Sequence, residues 1–181
     1  MNTKPMKPWQ RITATLVEGH RVASGLNNNP RFPGGTLRMQ IPHFQARGFD
    51  LSAYHLGTLN VSIAPKTYRA LAPRFTFRDM KWHPTEPAED FSLFDARLVF
   101  ATRPPIAGFI YHPHPETKPE HFQKPDVLEL LFPFIEGLRY GESLTLEIPE
   151  DQMRIEGDRT NTKPADTDTS DDVSKNPAAG F

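Results

Sequence analysis

Prolines limit the possible folds of this chain more than any other feature of its sequence. Nineteen of the 181 residues are proline, compared with eleven glycines, and they are spread along the chain. Proline lacks a backbone N–H and fixes φ, so it breaks or kinks helix interiors and is excluded from central positions in sheets. The sequence therefore disfavours long helices and favours short strands joined by rigid turns.

Short apolar runs between these prolines indicate where the strands lie. Residues 91–100 partly alternate between apolar and polar side chains, as a half-buried strand does. Similar runs predict further strands at 12–17, 37–41, 59–63, 106–111 and 143–148. Two segments are predicted as short helices: 65–71, which begins with a proline at a suitable first helical position, and 126–138, which Pro133 interrupts.

This pattern predicts an all-β to α+β fold in one domain. Many short strands with proline-rich turns are typical of a single closed β-barrel, here with one or two short helices. Residues 157–181 contain Val173 as their only aliphatic residue beyond alanine, too little to offset a backbone ordering cost of about 1–2 kcal/mol per residue. We expect a disordered tail there, a flexible N-terminus at 1–8 and the folded domain at 9–156.

Charge and composition exclude several classes of function. The chain has 21 basic and 22 acidic residues, so it lacks the basic surface that nucleic acids or anionic membranes require. It has no cysteine, which excludes disulfides and thiolate chemistry. No apolar run approaches the length of a membrane span, and the N-terminus lacks a signal-peptide core. We therefore expect a cytoplasmic protein without nucleic-acid or membrane partners.

Three segments, taken in order, resemble one known family. The first, 18–26, reads EGHRVASGL, and the second, 57–63, reads GTLNVSI. The third, 127–133, reads VLELLFP and is followed at 140–148 by YGESLTLEI. Together they are similar to the archaeal CTP-dependent riboflavin kinases, which are cradle-loop β-barrels. GTLN is the most specific of these motifs, and the order of the segments strengthens the resemblance.

The resemblance implies a reaction and a set of site residues. The reaction is the Mg²⁺-dependent transfer of a phosphoryl group from CTP, or a similar nucleoside triphosphate, to riboflavin, which gives FMN. Thr58 and Asn60 would bind the metal, while Thr117 and Glu129 would contact the flavin. Glu129 is also the candidate catalytic residue, as a general base. The nucleotide-binding loop would contain Gly25, Leu26, Asn27, Asn28, Asn29 and Pro30.

Physical chemistry is consistent with a metal site in GTLN. Residues i and i+2 of a strand point to the same face, so Thr58 and Asn60 point together. Their hydroxyl and amide oxygens are hard ligands suited to Mg²⁺, which takes its other ligands from water and phosphates. Gly57 lets phosphate and metal approach the backbone closely. The alternative is a turn glycine followed by an ordinary amphipathic strand.

Two departures from the family keep a second function open. The loop 26–30 has three asparagines and Pro30 where the family has glycines, so it forms either a phosphate-binding nest or a surface turn between strands. Gly34 and Gly35 nearby are candidates to share the phosphate-binding role. The segment after Pro133 is shorter than in the family and contains an acid. These differences are the reason to consider a flavin- or nucleotide-binding barrel without catalysis.

A histidine cluster provides a third possibility. His112, His114 and His121 lie within ten residues of one another, together with Glu116 and Glu120. Two histidines at i and i+2 with a nearby glutamate are typical of the transition-metal sites of cupin-type barrels. The prolines of this segment favour a rigid surface loop instead. Contacts between an imidazole and a ligand phosphate are a further alternative.

Overall fold

The computed structural model describes residues 8–157 except 22, 119 and 121, and these residues form one helix and nine strands. The helix α1 spans Thr36–Ala46. The strands are β1 Trp9–Val17, β2 Leu59–Ser62, β3 Thr67–Ala70, β4 Phe75–Met80, β5 Glu89–Val99, β6 Ile106–Pro113, β7 Val127–Leu131, β8 Ser143–Pro149 and β9 Met153–Glu156. The expectation of a mostly β fold with little helix is confirmed.

Six of the strands are joined in a closed ring of hydrogen bonds. Seven strands form one antiparallel sheet in the order β4-β5-β6-β7-β2-β1-β8, and β5 also pairs with β8. The second pairing is possible because β5 is eleven residues long. Its first part pairs with β4, whereas Arg97, Leu98 and Val99 pair with β8. Strands β3 and β9 form a separate two-stranded sheet.

Two hydrophobic cores support this arrangement. The first core is formed by alternate residues of the ring strands, such as Ile12, Ala14 and Leu16 of β1. The second lies between α1 and strands β4 to β6, where Phe44 of α1 makes edge-to-face contacts with Phe77 and Phe91 at centroid distances of 5.0 and 5.7 Å. Each buried side chain of this size contributes about 1.5–3 kcal/mol through removal from water. The cavity described below lies beside the second core.

The strand predicted at 37–41 is wrong, because these residues belong to α1. Leu37, Gln40 and Phe44 are buried, and their spacing of three and four residues is that of one helix face. Pro42 lies inside the helix and removes one backbone hydrogen bond. The burial of the helix face in the second core outweighs that loss.

Both predicted helices are also wrong. Residues 67–70 form β3, which pairs with β9, and residues 127–131 form β7. All five residues of β7 are buried, because the first core covers one face of the strand and the cavity and second core cover the other. Burial on both faces removes the apolar–polar alternation by which a strand is recognised. An unbroken apolar run of this kind is easily mistaken for a helix.

The predicted termini fall outside the described residues, apart from Pro8 and Gly157 at their inner ends. Within the described part of the chain, no helix is long and apolar enough to cross a membrane.

Candidate functional site

A cavity of about 220 Å³ lies where the segment before β2, the outer face of the β2–β7 pair and the start of α1 meet. Thr58, Asn60 and Glu129 all line it. Asn60 and Glu129 alternate with the core residues Val61 and Leu128, so they point away from the first core. Burial of a strand on both faces therefore places polar groups at the bottom of a cavity.

One hydrogen-bonded network holds the polar side chains of the cavity floor. Asn60 and Glu129 are register partners across β2 and β7. Gln123 Nε2 donates to Asn60 Oδ1 at 3.1 Å and to Glu129 Oε1 at 2.6 Å. Lys118 Nζ lies 3.8 Å from the same Glu129 oxygen. Asn60 and Glu129 are each only 8 % exposed, so this network sets their orientation.

The backbone at Gly19 presses against Asn60. A Cβ at Gly19 would lie 2.6 Å from Cγ of Asn60, far inside van der Waals distance. A Cβ at Gly57 would lie 3.1 Å from Cβ of Ser24, which is also tight. Glycine at both positions therefore lets the segment 18–26 approach β2 and close one side of the cavity.

The donor set at Thr58 and Asn60 fits Mg²⁺. Asn60 Oδ1 accepts one hydrogen bond, from Gln123, and an amide oxygen has two lone pairs. The Thr58 hydroxyl is a second hard oxygen, and the Glu129 carboxylate lies in the same cavity. Within the part of the chain that the structure describes, no group of three or more His, Asp or Glu side chains is placed to hold a metal ion.

The predicted nucleotide loop contributes little to the cavity wall. Leu26, which is 67 % exposed, is the only one of its six predicted residues that lines the cavity. Asn27 Oδ1 accepts the backbone N–H of Asn29, and Asn29 Oδ1 accepts that of Arg31. These side chains stabilise turns within the loop. Gly25 has φ of 76°, and Asn28 has φ of 52°, so both adopt the left-handed conformation.

The start of α1 faces the cavity in place of this loop. Thr36 and Gln40 line the cavity, and Gly34 and Gly35, with φ of 75° and 94°, lead the chain into the helix. No side chain caps this helix end, and its first turn contains no acidic residue. The amide end of a helix carries a partial positive charge that favours anions. Ala23 O already accepts the Leu37 N–H at this helix end at 3.3 Å, so part of its anion-binding capacity is used within the chain.

Thr117 lies outside the cavity lining. Its hydroxyl accepts the backbone N–H of Asp90 at 2.9 Å and donates to the carbonyl of His114 at 3.2 Å. The first bond holds the loop after β6 against the start of β5, and the second closes a turn within that loop. Of the predicted site residues, the structure therefore brings together Thr58, Asn60, Glu129 and Leu26, and it places Thr117 and most of the asparagine loop elsewhere.

The histidine cluster lies beside the cavity. His112 lines a smaller neighbouring cavity of about 70 Å³, which shares Lys118 and Glu129 with the larger one. Burial, with a further contribution from His114, lowers the pKa of His112 to about 4. His114 Nε2 is 2.7 Å from Ser92 Oγ, and its Nδ1 is 3.4 Å from Glu116. The third histidine, 121, lies outside the described residues.

The side chains of the cavity wall that sequence reasoning did not predict include Glu89, Trp82 and Gln123. Glu89 is 5 % exposed, and burial raises the pKa of its carboxyl group to about 7, while Lys118 opposes the shift. A signal was present, because Glu89 has the same alternation phase as the buried residues Phe91 and Leu93. A carboxyl group in the buried phase of a strand is unusual and points to a function.

An apolar groove of about 540 Å³ adjoins the cavity and shares His55, Gly57 and Tyr140 with it. Phe134 and Tyr140 are 74 % and 62 % exposed, and the rings of His55 and Phe134 lie 5.6 Å apart. Exposed aromatic side chains beside a polar cavity are suited to a planar ligand.

Comparison with known proteins does not assign a family. The chain matches no protein-family model, and no curated protein matches it significantly. Its function therefore has to be inferred from the chemistry of the cavity.

Proposed function

We propose that this protein is a Mg²⁺-dependent kinase that transfers a phosphoryl group from CTP, or a similar nucleoside triphosphate, to riboflavin and so produces FMN. The ring of strands would be a barrel of the cradle-loop type. The observation that supports the proposal best is the position of Thr58 and Asn60, which line one cavity together with Glu129. These are the residues that the resemblance assigns to the metal and the flavin.

Phosphoryl transfer requires positioning and charge neutralisation more than covalent chemistry from the protein. Thr58 and Asn60 would hold Mg²⁺, which neutralises phosphate charge when bound. The start of α1 has no side-chain cap and has Thr36 in the cavity wall, so it would bind phosphate oxygens through backbone N–H groups other than that of Leu37, which Ala23 O accepts. Arg21, which also lines the cavity, adds a positive charge.

Glu129 would receive the proton of the acceptor hydroxyl. The hydrogen bond from Gln123 and the ion pair with Lys118 both involve Oε1, and Oε2 takes part in neither contact. A hydroxyl group near Oε2 would lose its proton to this oxygen as it attacks the phosphorus. Because Asn60 is the register partner of Glu129, the metal site and the base lie on adjacent strands.

The apolar groove would hold a planar ring. Phe134 and Tyr140 offer exposed aromatic faces, and His55 lines both the groove and the cavity. A ring stacked there would leave its polyphosphate or ribityl chain in the cavity near Thr58. Stacking contributes about 0.5–1.5 kcal/mol per aromatic pair beyond the area buried.

A direct assay tests the proposal. The purified chain is incubated with riboflavin, Mg²⁺ and each of the four nucleoside triphosphates in turn, and FMN is separated by chromatography. We expect FMN with CTP, and we expect Glu129→Gln to lower its rate of formation at unchanged nucleotide binding. Absence of FMN with every donor would overturn the proposal.

A second candidate is a protein of the same fold that binds a flavin or nucleotide without turnover. It is favoured by the asparagine loop, whose side chains bind the loop backbone, and by the position of Thr117 outside the cavity. Quenching of riboflavin fluorescence on binding, with no FMN after prolonged incubation, would distinguish this function from the kinase.

A further inference from the structure

Two buried polar side chains, Glu89 and Trp82, lie together in the cavity wall. They are separate from the proposed metal site and from the proposed base. Glu89 is the first residue of β5, and Trp82 follows the end of β4. They are 5 % and 6 % exposed, and both line the cavity. Asn60 and Glu129 belong to β2 and β7, and Thr58 directly precedes β2, so this pair forms a separate polar feature.

The indole N–H of Trp82 lacks a hydrogen bond of full geometry. Its Nε1 is fully buried and makes no hydrogen bond of ordinary geometry with any described residue. Its one partial partner is the Glu89 carboxyl group, and a weak hydrogen-bonding contact between them lowers the pKa of that group slightly. A buried donor without a hydrogen bond costs about 1–3 kcal/mol. A ligand with an acceptor at this position would recover that cost.

The Glu89 carboxyl group is the complementary acceptor. Burial raises the pKa of this group, and no charged side chain within the described residues forms an ion pair with it. The groups that act on Glu89 are Lys118 and Glu86. The other charged and titratable side chains that line the same cavity are Glu120, Glu129, Tyr111, Tyr140, His20, His55 and Arg21. Of these, Lys118 is paired with Glu129. Glu89 is therefore available to accept a hydrogen bond from a ligand.

The surroundings of the pair suit a flat ring. Phe32 packs against Trp82 with ring centroids 5.7 Å apart, and both rings line the cavity. The Tyr111 hydroxyl donates to Gln40 Oε1 at 2.9 Å, so these two polar groups already bind each other. This wall therefore presents one donor and one acceptor, in weak contact with each other, between aromatic surfaces.

We infer that Glu89 and Trp82 bind the –NH–C=O edge of a planar cyclic amide. The carboxylate accepts a hydrogen bond from the ring N–H, and the indole N–H donates to the neighbouring carbonyl oxygen. An amide edge satisfies both groups at once, because its donor and acceptor are adjacent and coplanar. If the proposed function is correct, the ring is the isoalloxazine of riboflavin. Only this identification of the ring depends on the proposed function.

A fragment experiment tests the inference without the kinase reaction. The chain contains two tryptophans, Trp9 and Trp82, so two indole N–H signals are expected in a nitrogen–proton NMR spectrum and the variant Trp9→Phe assigns them. We expect uracil to shift the Trp82 signal at millimolar concentration. We expect 1,3-dimethyluracil, which lacks ring N–H groups, to leave it unchanged. Equal shifts by both compounds, or none by uracil, would overturn the inference.

Variants extend the test to riboflavin. We expect Trp82→Phe and Glu89→Ala to weaken the binding of riboflavin and uracil about tenfold each, with little change in kcat, since each removes one hydrogen bond to the ligand. The matched controls are Trp9→Phe and Glu150→Gln, which lie outside the cavity. Unchanged uracil affinity in both cavity variants contradicts the inference.

The two proposals fail in different ways. FMN production with an unchanged KM for riboflavin in Glu89→Ala and Trp82→Phe would overturn the inference and leave the kinase intact. Uracil binding that depends on Glu89, with no FMN formed, would support the inference and remove the kinase.

Discussion

Gln123 donates its amide N–H groups to Asn60 Oδ1 at 3.1 Å and to Glu129 Oε1 at 2.6 Å, and so it joins two register partners on β2 and β7. One residue outside the sheet thus orients both the proposed metal ligand and the proposed base. The two functions are coupled in space although their residues lie 69 positions apart in the sequence.

The first prediction concerns the metal site. Thr58→Val and Asn60→Ala each remove one hard oxygen from the cavity, so FMN formation at limiting Mg²⁺ should fall on the order of 100-fold. The measurement is the initial rate as a function of Mg²⁺ concentration. Thr13→Val is the matched control, because Thr13 is exposed on β1 and the change has the same shape. Equal rates in Thr58→Val and the control would contradict the assignment.

The second prediction uses the contact between Gly19 and Asn60. In Gly19→Ala the new methyl group displaces the Asn60 amide, which Gln123 holds from the other side. The free energy of unfolding should fall by about 1–3 kcal/mol, as in other overpacked sites, and activity should fall with it. Gly157→Ala is the control, since a Cβ there meets nothing within 4 Å. Denaturant unfolding of both variants measures their free energies of unfolding.

The third prediction concerns the coupling through Gln123. Gln123→Leu leaves two buried acceptors without their donor, so the free energy of unfolding should fall by about 1–2 kcal/mol. Combined with Asn60→Ala, the loss should be smaller than the sum of the single losses, by about 0.5 kcal/mol or more. A double-mutant cycle of urea unfolding measures this difference. Strict additivity would mean that the network does not couple the two residues.

The fourth prediction follows from the raised pKa of Glu89. In the unfolded chain this carboxyl group titrates near its ordinary pKa of 4.5, whereas burial raises the folded pKa to about 7. Between these values the folded state binds the extra proton, so the free energy of unfolding falls as pH rises from about 4.5 to 7 and is level above. The loss attributable to Glu89 is about 2–3 kcal/mol.

The variant Glu89→Gln isolates this contribution. The variant keeps the shape of the side chain but has no titratable group at this position. Its free energy of unfolding, relative to that of the natural chain, should therefore be greater at pH 8 than at pH 5. Glu150→Gln, at an exposed position, should show no such difference. Chemical unfolding at both pH values provides the comparison, and parallel profiles for the natural chain and Glu89→Gln would refute the shift.

The sequence supported a correct view of most ring strands but not of the elements that build the cavity. Alternation in β1 and β5 was visible because one face of each strand lies in the first core. Strand β7 was mistaken for a helix because it is buried on both faces, and α1 was mistaken for a strand because its central proline hid the spacing of Leu37, Gln40 and Phe44.

The same contrast applies to the site. Thr58 and Asn60 were predicted to point together, since that follows from strand alternation alone, and they do line one cavity. Trp82 and Gln123 carried no local signal, because neither residue type in its segment indicates a site, and Gln123 also binds Asn60, which lies 63 positions away. Their roles depend on which segments the ring brings together.

By itself, the sequence determined a mostly β chain with short elements, because proline and apolar alternation act over a few residues. It also predicted that Thr58 and Asn60 lie together, and both line one cavity although Thr58 precedes β2. Only the tertiary structure decided that Asn60 meets Glu129, that α1 begins at the cavity and that Glu89 is buried beside Trp82. These contacts depend on strand register and on burial of both faces of β7, which many distant residues set jointly.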